Sequence, residues 1–284
     1  CPCIQKISGF RNHERIGERV MLSLNEFISG VRFNKEAEDF LKNYNITGDE
    51  YLYCRELFFN DTEALLDYLN RRTDSKAFLL KLYVLISIDN FDNFTNKLSM
   101  KKDDLSSADL RQIYFATMSD IRIWQEVYQR NTGKIGLIEP LWVSNAVKGN
   151  LYRFGRLQFE PDQKANTVHI HIPEGEKLDI EQCKASIKKA GEFFSEYPNF
   201  DCLSWLLSPN ILPLLDEDSN IRTFQSMFDI KYINYDFEQA AQRVIGEYAY
   251  SKKSSLTVRL HEYLQKHGDP GMGYGIIKNE GVAG

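Results

Sequence analysis

The sequence of 284 residues lacks any apolar run close to the ~20 residues that a membrane-spanning helix needs. Its most apolar stretch, residues 77–88, is interrupted by Lys81 and predicts a buried helix. Basic residues form no stripe, because Lys and Arg are interspersed with Asp and Glu and the net charge is −5. The first residues lack the charged-then-apolar pattern of a secretion signal. We therefore expect a cytoplasmic protein that binds neither membranes nor nucleic acid.

Cysteine is scarce and irregularly spaced. The sequence has five cysteines, and an odd number at wide intervals argues against a disulfide framework. Cys1 and Cys3 form a C-x-C pair that resembles half of a metal site, but no second pair with ligand spacing accompanies it. We expect free thiols and no bound metal.

Several motifs of common enzyme classes are absent. The sequence contains no GxGxxG, no GxxxxGK[ST], no HExxH and no G-x-S-x-G. The sequence therefore argues against four functions: dinucleotide binding, P-loop phosphate binding, zinc proteolysis and serine hydrolysis. The glycines of residues 268–275 lack a preceding strand and a following helix, so they predict a mobile tail with at most a short strand around residues 274–277.

The first half of the sequence has helical periodicity. Between residues 15 and 130 apolar residues recur at helical spacing, which predicts about six helices. Thr47 with Glu50, and Ser106 with Asp109, have the spacing of a capping box at a helix start. Residues 131–133, Asn-Thr-Gly, predict the end of the last long helix. We expect an all-helical N-terminal domain over residues 1–132.

The second half predicts a sheet. Residues 151–160 alternate in polarity, residues 167–172 form a second strand of a hairpin, and residues 201–207 and 229–235 predict two more strands. Helices are predicted between them, one of them capped by Asp179. The pattern indicates an α/β class, α+β overall, with a mixed β-sheet flanked by helices over residues 133–284.

His169 and His171 are the first candidates for chemistry. Residues two apart on a strand face the same side, separated by roughly 6.5–7 Å. The pair is a possible metal site, but the further ligands it would need, Glu160 or Glu174, are not indicated by any spacing. A single histidine as general base fits better, because its pKa suits neutral pH. A metal enzyme built on the two histidines stays an alternative.

Two further stretches are candidates for binding. Residues 171–179 run from a strand through a glycine-containing loop into a helix, which suits a phosphate group, although Glu174 and Glu176 outweigh Lys177. On spacing alone an ordinary capped turn is the better interpretation. Residues 202–210 predict a strand face that carries both Ser204 and Ser208.

Four runs together resemble a known family: LYRFGRLQFE at residues 151–160, HIHIPEGEKL at 169–178, CLSWLLSP at 202–209 and SNIRTF at 219–224. They are similar to acyltransferase-domain proteins of Gram-positive, often gut, bacteria, which have a helical N-acyltransferase N-terminal domain and a GNAT-like C-terminal domain. The resemblance covers residues 134–280 well and the helical half more loosely. It implies acyl transfer from acyl-CoA or acetyl-CoA to the amine of a small-molecule acceptor, with no metal.

The resemblance also implies roles for particular residues. Acyl-CoA would lie along the predicted strand and the loop after it, at Val168, His169, Ile170, Ile172, Gly175 and Lys177. The acceptor would meet Arg156, Ser204 and Ser208, with His171 or Glu160 as base and Tyr235 or Tyr232 as acid. The loop departs from the basic, glycine-rich pyrophosphate signature of the superfamily. The alternative is a non-catalytic ligand-binding or interaction protein on the same fold.

Overall fold

The computed structural model describes residues 22–246 and 255–279. The Cys1–Cys3 pair lies outside the described residues. The cysteines within them, Cys54, Cys183 and Cys202, are free thiols in buried positions. None of the helices in the described residues combines the length and apolarity that crossing a bilayer would require.

The first half of the chain is helical, as the sequence predicts. Side chains before several helices accept hydrogen bonds from the first turn, and Ser23 and Ser106 form complete capping boxes with Glu26 and Asp109. Thr47 caps its helix through the backbone N–H of Glu50. Within the described residues the helices before residue 133 are α1 Leu24–Val31, α2 Lys35–Asn43, α3 Gly48–Asn60, α4 Thr62–Asn70, α5 Ser75–Asp89, α6 Phe91–Lys101 and α7 Ser107–Thr132.

A further helix that the sequence analysis did not predict follows α7. Gly133 adopts φ 69° and ends α7, as expected of a left-handed helix stop. Helix α8, Pro140–Val147, then starts with a proline at its first position, where the missing N–H costs nothing. The helix has only eight residues, so its periodicity does not stand out in the sequence.

The second half forms a mixed six-stranded sheet within the described residues, which confirms the predicted α/β class. Its strand order is β1-β2-β3-β4-β6-β5; β3 and β4 pair in parallel, and the other neighbours are antiparallel. The strands are β1 Tyr152–Phe154, β2 Leu157–Asp162, β3 Thr167–His171, β4 Asn199–Ser204, β5 Asp229–Asn234 and β6 Met272–Lys278. The helices of this half are α9 Ile180–Phe193, α10 Asn220–Gln225, α11 Gln239–Ile245 and α12 Ser255–His267.

Two predicted strands have different boundaries in the structure. Residues 151–160 are not one strand, because Gly155 adopts φ 62° and turns the chain between β1 and β2. Residues 201–207 do not stay extended either. The side chain of Ser204 accepts the backbone N–H of Leu206 and starts a 3₁₀ helix over Trp205–Leu207, so Ser204 and Ser208 do not share a strand face.

The glycine-rich residues 268–275 are not a mobile tail. They contribute β6, which lies inside the sheet between β4 and β5. Glycine is needed there because a Cβ built on Gly273 would lie 2.1 Å from the carbonyl oxygen of Leu207. The glycines thus serve close packing rather than flexibility.

The sheet has one apolar and one polar face. On the apolar face, Phe159 and Phe200 contact each other, and Phe154 contacts Phe193 of α9. The polar face carries the histidines of β3 and is covered by α7 and α8. One hydrophobic cluster continues from the helical half into the sheet, and a second lies beneath the C-terminal helices. The domain boundary at residues 132/133 stays a prediction.

Candidate active site

The two parallel strands in the centre of the sheet diverge. β3 and β4 pair only at Val168 with Phe200 and at His169 with Asp201. Beyond this point β3 continues to His171, and β4 continues to Ser204 with β6 as its partner. Because backbone groups alternate in direction along a strand, alternate N–H and C=O groups of β3 point into the gap. Beyond His169 the backbone of β3 is therefore not paired with β4 and borders this gap.

A cleft of about 710 Å³ opens at this gap. Ile170 and Cys202 reach it from the apolar face of the sheet, and His171 reaches it from the polar face. Helices α7, α8, α10, α11 and α12, the loop between β3 and α9 and the 3₁₀ helix at Trp205–Leu207 contribute the other walls. All three tryptophans of the chain, Trp124, Trp142 and Trp205, line it. A cleft that combines apolar walls with many polar and charged side chains suits a ligand that has both an aliphatic and a charged part.

His171 is the cleft histidine, and it is paired with a carboxylate. Its Nε2 lies 3.0 Å from Oε2 of Glu160, and this hydrogen bond lowers the pKa of Glu160. An ionised carboxylate only accepts hydrogen bonds, so Nε2 of His171 is the nitrogen that donates to Glu160. The ring also meets the edge of Trp142, with 4.8 Å between ring centroids. The residue is therefore oriented and has a basic nitrogen available.

His169 has a different environment on the same strand face. Its Nδ1 lies 2.5 Å from Oδ1 of Asp201, and the hydrogen bond to this carboxylate raises the pKa of His169. Oδ2 of Asp201 accepts the hydroxyl of Tyr274 at 3.0 Å. His169 does not line the cleft. This arrangement favours a charged, structural histidine.

The acidic loop between β3 and α9 forms one wall of the cleft, and arginines from other elements offset its charge. Arg130 of α7 donates to Glu174 at 2.8 Å, and Arg153 of β1 donates to Glu176 at 2.9 Å. Arg156 donates to the backbone carbonyl oxygens of loop residues 176 and 177. The sequence predicts a loop that repels anions. The structure neutralises each loop glutamate from outside the loop.

Comparisons with known families agree with this architecture. A profile of the N-acyltransferase N-terminal domain matches residues 111–149, and a profile of the GNAT-like C-terminal domain matches residues 151–277. Together they cover more than half of the chain. The chain is a GNAT-like N-acyltransferase-domain protein. The predicted resemblance to proteins with an N-acyltransferase N-terminal domain and a GNAT-like C-terminal domain is thereby confirmed.

Solved structures share the fold of this GNAT-like protein. An acyltransferase in complex with decanoyl-CoA and teicoplanin has a TM-score of 0.70 and 16% identity. An acyltransferase mutant in complex with octanoyl-CoA has 0.70 and 15%, and an acyltransferase in complex with decanoyl-CoA has 0.69 and 17%. Each superposition covers 90% of this chain and 87% of the other. Comparison with curated proteins finds no sequence match.

The structure brings most of the predicted ligand-binding residues to the cleft of the GNAT-like domain. The cleft is lined by these predicted residues: Arg156, Ile170, His171, Ile172, Gly175, Lys177 and Ser204. Val168 and His169 lie at the last paired positions before the strands diverge. Glu160 does not line the cleft but contacts His171 directly.

Other predicted residues lie elsewhere. Ser208 is fully buried, and its hydroxyl donates to the carbonyl oxygen of Pro270. Tyr235 is 62% exposed, its hydroxyl accepts a hydrogen bond from Asn210, and it does not line the cleft. Tyr232 is stacked on Tyr274 outside the cleft.

The sequence analysis missed residues that the helices bring to the cleft. They include Asp120 and Trp124 of α7, Trp142 of α8 and Arg243 of α11, whose guanidinium lies over the Trp124 ring at 4.9 Å. Asp120 gives one usable sequence signal. It shares helical spacing with buried Ile113 and Thr117, and an acidic residue in such a stripe is unusual.

No cluster of three or more His, Cys, Asp or Glu side chains in residues 22–246 and 255–279 is arranged to hold a metal ion. A metal enzyme built on His169 and His171 would need at least one further ligand, and these residues provide none in a suitable arrangement.

Proposed function

We propose that this protein is an acyl-CoA-dependent N-acyltransferase that transfers an acyl group to the amine of a small-molecule acceptor. The observation that supports it most is the gap between β3 and β4, which opens into the apolar cleft beside His171. Structures with this fold hold octanoyl-CoA or decanoyl-CoA. One of them also holds teicoplanin, which is consistent with a small-molecule acceptor class for this protein.

The cosubstrate would use the open backbone of β3. The pantetheine arm of acyl-CoA or acetyl-CoA would pair with strand groups between Val168 and Ile172. The pyrophosphate would lie at the loop after β3. There is open space beside the backbone there, because a Cβ on Gly175 would meet no atom within 4 Å, and Lys177 supplies positive charge. The pairing of Glu174 with Arg130 supports this placement, because it reduces the repulsion that an anion would meet.

The apolar walls suit the acyl chain. Burying methylene groups contributes about 0.8 kcal/mol each, so a cleft lined by Trp124, Trp142 and Ile170 would favour a chain longer than acetyl. We therefore expect medium-chain acyl-CoA to bind more tightly than acetyl-CoA.

His171 would act as general base. The acceptor nitrogen bonds to the thioester carbonyl carbon, the carbon–sulfur bond breaks, and CoA leaves as a thiolate. Nδ1 of His171 takes the proton that the amine loses, and the imidazolium returns it to the thiolate or to solvent. Glu160 holds the ring and stabilises its charged form. A backbone N–H of β3 would polarise the carbonyl. Tyr235 is not included, because its hydroxyl is bonded to Asn210 at an exposed position.

A direct test combines purified protein, decanoyl-CoA and a panel of primary amines, with thiol release and product mass as readouts. We expect CoA release that depends on the amine, and a product heavier than the amine by one decanoyl group. Release without amine dependence, or none with any amine, would argue against the transferase function.

One observation favours the alternative of a non-catalytic binding protein. Oε2 of Glu174 is buried at the loop without a hydrogen-bond partner among the described residues, which disfavours a phosphate nearby. That alternative predicts binding of CoA or another metabolite with no turnover in the same panel. Isothermal titration against CoA and then against other metabolites separates the two functions.

A further inference from the structure

One buried carboxylate in the cleft has no role in the mechanism above. Asp120 lies near the middle of α7, on the side that covers the polar face of the sheet, and is 1% exposed. It nevertheless lines the cleft, together with Trp124 one turn later. The Asp120 side chain is therefore enclosed by protein on most sides and borders the cleft on one side.

The hydrogen bonds of Asp120 are incomplete. Oδ1 accepts the side-chain N–H of Gln158 at 2.9 Å. Oδ2 is buried and has no hydrogen-bond partner among the described residues. Buried polar atoms are nearly always paired, so an unpaired oxygen on a residue that lines a cleft indicates a group supplied by a ligand.

Asp120 and His171 share their neighbours. Gln158, which binds Asp120, is the residue of β2 directly opposite His171 in the sheet register. Trp142 contacts the His171 ring, and hydrogen bonding from its side chain toward the Asp120 carboxyl lowers the pKa of Asp120. The free carboxylate oxygen therefore belongs to the same end of the cleft as the proposed base.

The charges around Asp120 permit an ionised state. Burial is the main reason that its pKa is raised to about 6, and the charge of Glu139 adds to this; hydrogen bonds from Gln158 and Trp142 and the charge of Arg153 act in the opposite direction. At pH 7 the carboxylate is mainly ionised. Other charged or titratable side chains also line the cleft: His171, Arg130, Arg156, Glu174, Glu176, Lys177 and Arg243. A desolvated negative charge here attracts a cation and repels an anion.

We propose that Asp120 binds the acceptor through its ammonium group, with the free Oδ2 as the receiving oxygen. The inference rests on the proposed N-acyltransferase function and narrows the acceptor to amines that are protonated at neutral pH. The bound ammonium first loses one proton to solvent through His171; the neutral amine then attacks, and His171 takes the second proton and passes it to the departing CoA thiolate. Gln158 positions the carboxylate and has no contact with the acceptor in this account.

The test uses binding without acyl-CoA, so that it is independent of turnover. Benzylamine is titrated to 100 mM into the full chain at pH 7.5, with benzyl alcohol as the uncharged analogue of the same shape and tryptophan fluorescence as readout. We expect benzylammonium to bind at least tenfold more tightly than benzyl alcohol. Asp120→Asn should abolish the preference, whereas Glu181→Gln, on an exposed turn of α9, should leave it unchanged.

The pH profile separates this role from a structural one. Benzylammonium affinity should rise with pH as Asp120 ionises around pH 6, and the rise should persist in His171→Gln but vanish in Asp120→Asn. The thermal unfolding of Asp120→Asn checks that the variant folds. Equal preference in Asp120→Asn and wild type, or no ammonium preference in the wild type up to 100 mM, would overturn the proposal. Decanoyl-CoA titrated separately shows whether the proposed function itself fails.

Discussion

At the scale of single residues, the two histidines of β3 show how environment separates otherwise equivalent side chains. His169 is hydrogen-bonded to Asp201, which itself accepts from Tyr274, and its pKa is raised. His171 has one carboxylate partner, Glu160, and faces the cleft. A general base must reach the acceptor. His171 lines the cleft, whereas His169 lies outside it between the carboxylates of Asp201 and Asp162, so the position favours His171.

Replacing His171 by Gln should lower kcat/KM by about 10²- to 10⁴-fold, the usual contribution of a general base. The affinity for decanoyl-CoA should change little, because the side chain acts on the acceptor. His169→Gln is the matched control on the same strand face and should cost much less. The account is contradicted if both variants lose activity equally, or if His171→Gln retains full turnover.

Asp120 should make the stability of the fold depend on pH in the direction opposite to that of a salt-bridged aspartate. Its folded pKa of about 6 exceeds the ordinary 3.8, so the folded state binds the proton more tightly. This contribution is fully present below about pH 3.8 and is lost as pH rises to about 6, a change of about 3 kcal/mol in the free energy of unfolding.

Asp120→Asn should therefore be more stable than the wild type at pH 7 and gain little at pH 4. Urea unfolding at the two pH values measures the difference. A variant that is less stable than the wild type at pH 7 would show that the carboxylate has a stabilising partner.

At the scale of elements, β6 depends on the close approach of another chain segment. Gly273→Ala would place a methyl group 2.1 Å from the carbonyl oxygen of Leu207. The other nearest atoms belong to the backbone of Leu207 and Ser208, which cannot move aside as a flexible side chain could. We expect destabilisation by roughly 2–4 kcal/mol, as for other overpacked or strained sites. Gly48→Ala, in the first turn of α3 with no atom near its Cβ, is the control and should be neutral or slightly stabilising. Similar unfolding midpoints for the two variants would refute this role of Gly273.

The loop between β3 and α9 should depend on its arginine partners for anion binding. Arg130→Gln leaves Glu174, whose side chain is 6% exposed, without its counter-charge. Affinity for CoA should fall about tenfold, equivalent to about 1.4 kcal/mol. The double variant Arg130→Gln with Glu174→Gln should recover most of the loss, because no uncompensated charge remains. Equal CoA affinity in all three proteins would mean that the phosphates bind elsewhere.

The elements that local sequence signals specify were predictable, and those that depend on distant contacts were not. Capping residues such as Thr47 and Ser106 identify helix starts because their hydrogen bonds are local. The glycines of β6 instead fit the backbone of Leu207, which lies more than sixty residues earlier, and no local pattern reveals this contact. The same holds for the 3₁₀ turn at Ser204, which interrupts a run with good strand propensity.

At the scale of the whole molecule, the candidate site is a meeting of the two halves of the chain. His171 could be named from the sequence because its strand pattern and the family resemblance both point to it. Asp120, Trp142 and Arg243 reach the same cleft from helices far apart in sequence. In the sequence, the helical stripes that contain them look like ordinary core. Only the packing of the helices against the sheet shows that the three residues line the same cleft.

The central claim is that acyl-CoA occupies the cleft between the diverging strands, and intrinsic fluorescence tests it most directly. All three tryptophans of the chain line this cleft, so no other tryptophan dilutes the signal. Titration with decanoyl-CoA should change the emission in a saturable way at 1:1 stoichiometry, and the midpoint of thermal unfolding should rise with ligand concentration. Acetyl-CoA should need a higher concentration for the same change. An emission spectrum and an unfolding midpoint that both stay constant up to millimolar decanoyl-CoA would contradict the account.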